Sequence, residues 1–62
     1  MKEITITVTV TDSEAWQYAQ FLKRVCLSDY RDRATSDVEA YTMMDAGEKI
    51  REALRELGYT PR

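Results

Sequence analysis

The sequence predicts an α+β fold: one N-terminal β-strand followed by two α-helices (β-α-α), with the strand paired across a homodimer. Three observations carry this. Ile4, Ile6, Val8 and Val10 alternate with Glu3, Thr5, Thr7 and Thr9, the period-2 pattern of a half-buried strand. Helix-start signals followed by 3.6-residue apolar periodicity occur twice, after Thr11 and after Ser36. No other run has strand character, so the strand has no partner within its own chain. An isolated strand leaves its N–H and C=O groups unpaired along both edges, and the simplest donor of an edge is a second copy, giving a two-stranded antiparallel ribbon. With 62 residues, the chain reads as one small domain over residues 1–62.

The first helix opens at Thr11-Asp12-Ser13-Glu14, where Thr11 and Glu14 have capping-box spacing and Asp12 suits the positive end of the helix. Ala15, Tyr18, Ala19, Leu22, Val25 and Cys26 then form one apolar stripe, with Phe21 at its edge. Cys26 on that stripe reads as a buried, inert thiol. Trp16 lies off the stripe and has two readings: a core-edge ring covered by the Lys23 stem, or an anchor in an interface.

Residues 28–35, SDYRDRAT, carry two acids, two Arg and one Tyr without apolar period, and read as a connector with at most one helical turn. The next helix is expected over about 37–57. Ser36 and Glu39 have capping-box spacing, and Gly58 sits where a C′ residue with positive φ is wanted, followed by Tyr59 and Pro61. Its expected buried face is Met43, Ala46, Gly47, Ile50, Ala53, Leu54 and Leu57. Gly47 costs helix stability of order 1 kcal/mol relative to Ala, which predicts a close helix-helix approach there.

Charge and composition limit the chemistry. Nine Lys+Arg against eleven Asp+Glu give a net charge of −2, and there is no His. A cysteine nucleophile lacks its usual base, no set of metal ligands has a recognised spacing, and AGEK at 46–49 lacks the second glycine and preceding strand of a phosphate loop. The expectation is a non-enzymatic protein without cofactor or metal. With 32% charged residues and no apolar run near the ~20 residues of a membrane span, and no signal peptide in MKEITITVTV, the expected location is the cytoplasm. On the second helix Asp37, Tyr41, Asp45, Glu48, Glu52 and Glu56 fall within a quarter-turn-wide stripe about 28 Å long. Lys49, Arg51 and Arg55 flank it at helical pairing distances, so it also reads as an ordinary solvated face.

The order strand, helix, connector, longer helix and the opening KEITITVTVTDSEAW resemble the ribbon-helix-helix family of dimeric DNA-binding proteins over roughly residues 2–28. That resemblance implies a transcriptional regulator whose outward strand residues, here Thr5, Thr7 and Thr9, enter the major groove, while Ile4, Ile6, Val8 and Val10 face the dimer core. The long, charged, Gly-free connector departs from the family pattern, and Asp37 and Glu39 stand where a phosphate contact belongs. Over most of the chain, AWQYAQFLKRV, SDYR and EKIREALRELGYTPR resemble short, uncharacterised phage and mobile-element proteins. Small acidic proteins from such elements are similar to anti-CRISPR inhibitors, which implies a bacterial partner with a basic surface such as a Cas effector. The leading expectation is therefore an inhibitor acting by DNA mimicry. Asp37, Asp45, Glu48, Glu52 and Glu56 would stand in for phosphates, with Trp16, Tyr30 or Tyr41 as anchors. DNA is a ligand only in the regulator alternative.

Overall fold

Local signals around Thr11, Cys26 and Ser36 start three helices in a computed structural model that describes residues 2–62: α1 (Asp12–Arg24), α2 (Leu27–Arg33) and α3 (Asp37–Glu56). At α1 the expected capping box forms in full. The Thr11 hydroxyl accepts from the Glu14 N–H at 3.1 Å, and the Glu14 carboxylate accepts from the Thr11 N–H at 2.9 Å. At α3, Ser36 accepts from the Glu39 N–H at 3.1 Å, but the Glu39 carboxylate turns to Thr35 instead, accepting from its hydroxyl at 2.9 Å.

The predicted α+β class is wrong: no strand exists among the described residues, and the fold is all-helical. Residues 2–10 show the alternation of a strand without its ladder. Sequence alternation supplies a face, whereas a strand exists only when backbone groups pair with a neighbour, and the described residues hold none. Ile4, Ile6 and Val8 are left 77%, 69% and 75% exposed. Val8 and Val10 instead line a shallow groove with Ala15, Leu54, Leu57 and Tyr59, where the start of α1 meets the end of α3. The ribbon-helix-helix architecture falls with the strand.

The connector is a second correction. Residues Leu27–Arg33 form a seven-residue helix rather than a single turn, because Asp29 caps its start: the carboxylate accepts from the Cys26 N–H at 2.8 Å and from the thiol at 3.3 Å. Cys26 is consequently an exposed N-cap residue rather than a buried member of the α1 stripe. α2 docks through Tyr30, whose hydroxyl occupies the space that a Cβ at Gly47 would need. The close approach expected at Gly47 is thus a tyrosine ring over a bare stretch of helix.

The C-terminal stop of α3 follows the sequence signals closely. Gly58 has φ 97°, its N–H donates to the Arg55 carbonyl at 2.9 Å, and the Tyr59 N–H donates to the Leu54 carbonyl at 3.0 Å, the paired bonds of a Schellman motif. Tyr59 then reaches across to α1, packing edge-on to Trp16 with ring centroids 5.0 Å apart and donating its hydroxyl to Asp12 at 2.7 Å. Trp16 is therefore held by Tyr59, and remains 39% exposed.

The core is small. Its buried apolar residues are Ala15, Ala19, Leu22 and Ala40. On α3 the row that faces α1 and α2 is Ala40, Met44, Gly47, Arg51 and Leu54, buried or half-buried at spacings of four, three, four and three. Most of the face expected to be buried lies one row away: Met43, Ala46, Ile50, Ala53 and Leu57 are exposed, Leu57 to 76%. The backbone is laid out flat, with extents of 34 × 28 × 15 Å. No helix in such a slab is enclosed.

Candidate functional site

α3 is a continuous 20-residue helix, so it sets out its surface residues in straight rows, and three faces result. The inner row, Ala40 to Leu54, meets the rest of the chain. Roughly 100° around the helix in one direction lies the acidic stripe, and roughly 100° in the other lies the exposed apolar row.

All five carboxylates of the stripe, Asp37, Asp45, Glu48, Glu52 and Glu56, are exposed. Three of them are paired along the edge nearest the core. Arg31 of α2 meets Asp37 at 3.3 Å, Arg51 meets Glu48 at 3.7 Å, and Arg55 binds Glu52. These acidic side chains keep more than half of their surface in water, 71%, 59% and 56% respectively. Pairs so exposed are worth only about 0–1 kcal/mol each and part readily for a stronger cation. Asp45 and Glu56, on the outer edge, have no ion pair among the described residues. The arginines therefore weaken the field of the inner edge and leave the outer edge negative.

The three candidate anchors separate. Tyr30 is half-buried against Gly47, and burial first, then the neighbouring Tyr18, Glu48 and Asp29, raise its hydroxyl pKa above the ordinary 10.0. Trp16 is engaged with Tyr59. Tyr41, 47% exposed and within the stripe, is the one of the three that shares a face with the carboxylates. Thr5, Thr7 and Thr9, the base-reading residues of the regulator alternative, are exposed on a segment without strand structure, as are the apolar partners Ile4, Ile6, Val8 and Val10.

Around Cys26, Ser28 and Asp29 lie at 3.1 and 3.3 Å from the sulfur. The Asp29 carboxyl is held below its usual range, chiefly by the Cys26 N–H and then by the thiol, so its role is to cap α2. An open groove between α1 and α2 is lined by Phe21, Arg24, Val25, Asp29, Tyr30, Asp32, Arg33 and Met43. No group of three or more side chains suited to a metal ion occurs among the described residues, and no helix there is long and apolar enough to cross a membrane.

Sequence reasoning missed two features of this surface. The reach of Tyr59 to α1 is not legible in the sequence, since its partners Trp16 and Asp12 lie more than forty positions away. The exposed row Met43, Ala46, Ile50, Ala53 and Leu57 was read as core. The signal that separates it from the true inner row is the mid-helix glycine, Gly47, since both rows carry alanines and only the glycine marks a close approach.

The model of a family of unknown function, DUF7706, matches residues 1–62. The chain belongs to this family. No curated protein and no solved structure matches the chain, so the arrangement of carboxylates, arginines and apolar rows on α3 is what bears on the activity of this DUF7706 member.

Proposed function

We propose that this protein is a non-enzymatic, cytoplasmic binding protein that presents the acidic face of α3 to a basic, nucleic-acid-binding surface of a bacterial protein, and so inhibits it by DNA mimicry. The observation that carries the reading is the row Asp45, Glu48, Glu52 and Glu56 with Tyr41, exposed together on one straight helix. Carboxylates at successive turns give a rigid line of negative charge, and rigidity matters because a partner built for a phosphate backbone rewards charges already in place. Tyr41 adds an amphipathic ring of the kind enriched at binding hot spots. The anti-CRISPR kind of target is one member of this partner class. A DNA-reading role draws no comparable support, since Thr5, Thr7 and Thr9 lie on an unpaired segment and net charge −2 opposes phosphate binding.

The test is affinity capture from a bacterial lysate at low salt with the wild-type chain and with the triple variant Asp45→Lys, Glu48→Lys, Glu52→Lys, followed by elution with double-stranded DNA. The reading expects a basic protein retained by the wild type, lost with the triple variant, and released by DNA. Retention should also weaken steeply as salt rises, because exposed charges are screened beyond ~8–10 Å at physiological ionic strength. Retention indifferent to the charge reversal, or tight binding of the DNA by the chain itself, would overturn it.

A further inference from the structure

The apolar row on α3 has the spacing of a helix-pairing seam. Met43, Ala46, Ile50, Ala53 and Leu57 follow one another at three, four, three and four residues, the a/d pattern of a coiled coil. Met43 and Ile50 keep 37% and 38% of their surface in water and Leu57 76%, and Ala46 and Ala53 are exposed, although the row is carried on the longest helix of the chain and lies beside its core row. We propose that this row is a self-association surface, and that its occupant is α3 of a second copy packed antiparallel.

Side-chain size fixes the direction. In an antiparallel pair centred between residues 51 and 52, Ile50 lies opposite Ala53 of the other copy, and Leu57 lies opposite its Ala46. Each of these four layers, formed by residues 46, 50, 53 and 57, then joins one large and one small residue, so the helices approach evenly, while Met43 falls opposite position 60, past the end of the other helix. A parallel, in-register pair would set Ala46 on Ala46 and Ala53 on Ala53, in alternation with Ile50 on Ile50 and Leu57 on Leu57, leaving gaps between bulky layers. Interfaces pack as densely as protein interiors, which favours the antiparallel arrangement.

Charge agrees with size. Lys49 and Glu56 flank the seam on the same side, at the positions that meet across an antiparallel pair. Both are exposed, and neither has an ion pair within its chain among the described residues. The antiparallel register brings Lys49 of each copy to Glu56 of the other, whereas the parallel register brings Lys49 toward Leu54. The chain exposes 5428 Å² in all, roughly 1,300 Å² above the ~4,100 Å² expected of a folded monomer of this mass, an excess shared between this face and the extended residues 2–10. A standard interface removes only about 800 Å² from each partner. The pairing engages Glu56 with Lys49 of the other copy and leaves the rest of each acidic row facing outward, well around α3 from the seam, so the dimer does not depend on what that face binds.

Sedimentation equilibrium of the full chain tests this. The wild type is expected to be a dimer at micromolar concentration, and Ile50→Asp a monomer with its helical circular dichroism retained. Lys49→Glu and Glu56→Lys each replace two attractions by two repulsions, and each should weaken the homodimer about tenfold. Mixed in equal amounts, these two single variants should form the heterodimer in preference to either homodimer, which intrahelical effects of the substitutions cannot produce. A wild type that is monomeric at ~100 μM, a dimer indifferent to both charge changes, or a mixture without heterodimer preference would overturn the proposal. None of these readouts involves a basic partner, so such a failure leaves the acidic-face reading separately testable.

Discussion

Gly47 is the position where a single atom decides the packing of a whole element. A Cβ there would overlap the Tyr30 hydroxyl, while the ring carbon bearing it stays at an ordinary 3.5 Å. Gly47→Ala should therefore lower stability by about 1 kcal/mol, since overpacking outweighs the gain in helix propensity. In a Tyr30→Phe background, where the hydroxyl is gone, the same substitution should become stabilising by up to about 1 kcal/mol, and urea unfolding of the four proteins measures the change of sign. Tyr59 makes a second prediction. Its pKa is raised above 10.0 chiefly by donating to Asp12, so its folded value exceeds its unfolded one. The stability it adds is present below pH 10.0 and is lost as pH rises through the folded value. The fluorescence of Trp16, the single tryptophan, should report opening of the Tyr59 contact over that alkaline window, and Tyr59→Phe should remove the transition. The hydroxyl partnerships behind both predictions could not be read from the sequence. Gly47 signalled a close approach, but the approaching group sits in a segment, SDYRDRAT, that has no apolar period to place it.

Among the elements, those with self-contained signals were legible and those that depend on partners were not. The α1 capping box and the Schellman stop of α3 involve atoms within six residues, and the sequence marks both. Thr11→Ala should cost about 1 kcal/mol by freeing the first turn of α1. The Glu14 carboxyl is held below its usual 4.5, first by the Thr11 N–H and then by the Thr11 hydroxyl. Its contribution is therefore present above pH 4.5 and disappears as pH falls through the lower folded value, so acid titration followed by circular dichroism should show α1 fraying later in the wild type than in Thr11→Ala. The N-terminal segment is the opposite case. Period-2 alternation over Ile4 to Val10 marks two kinds of side chain, yet strand structure needs a ladder that no other part of the described residues supplies. The α3 face shows an intermediate outcome: the helix was placed to within a residue, but its apolar surface spans two rows, and only packing decides which row the core takes.

At the scale of the whole molecule, the chain is more expanded than its length requires. The radius of gyration is 12.6 Å, against about 10.6 Å for a compact domain of this size, and part of the excess comes from residues 2–10, exposed throughout. A core of three alanines and one leucine offers little hydrophobic stabilisation, because small domains bury too little surface to offset chain entropy comfortably. The association proposed for α3 would supply what the single chain lacks, and its acidic and apolar rows are two separate surfaces on which the proposals place it. Stability should then depend on protein concentration, since a state that binds its own copy is favoured by mass action. The direct measurement is thermal unfolding of the full chain by circular dichroism over roughly 1–100 μM. A midpoint that climbs steadily with concentration is the predicted result, and a sharp, cooperative transition at the same temperature across that range would show a self-sufficient monomer and contradict the account.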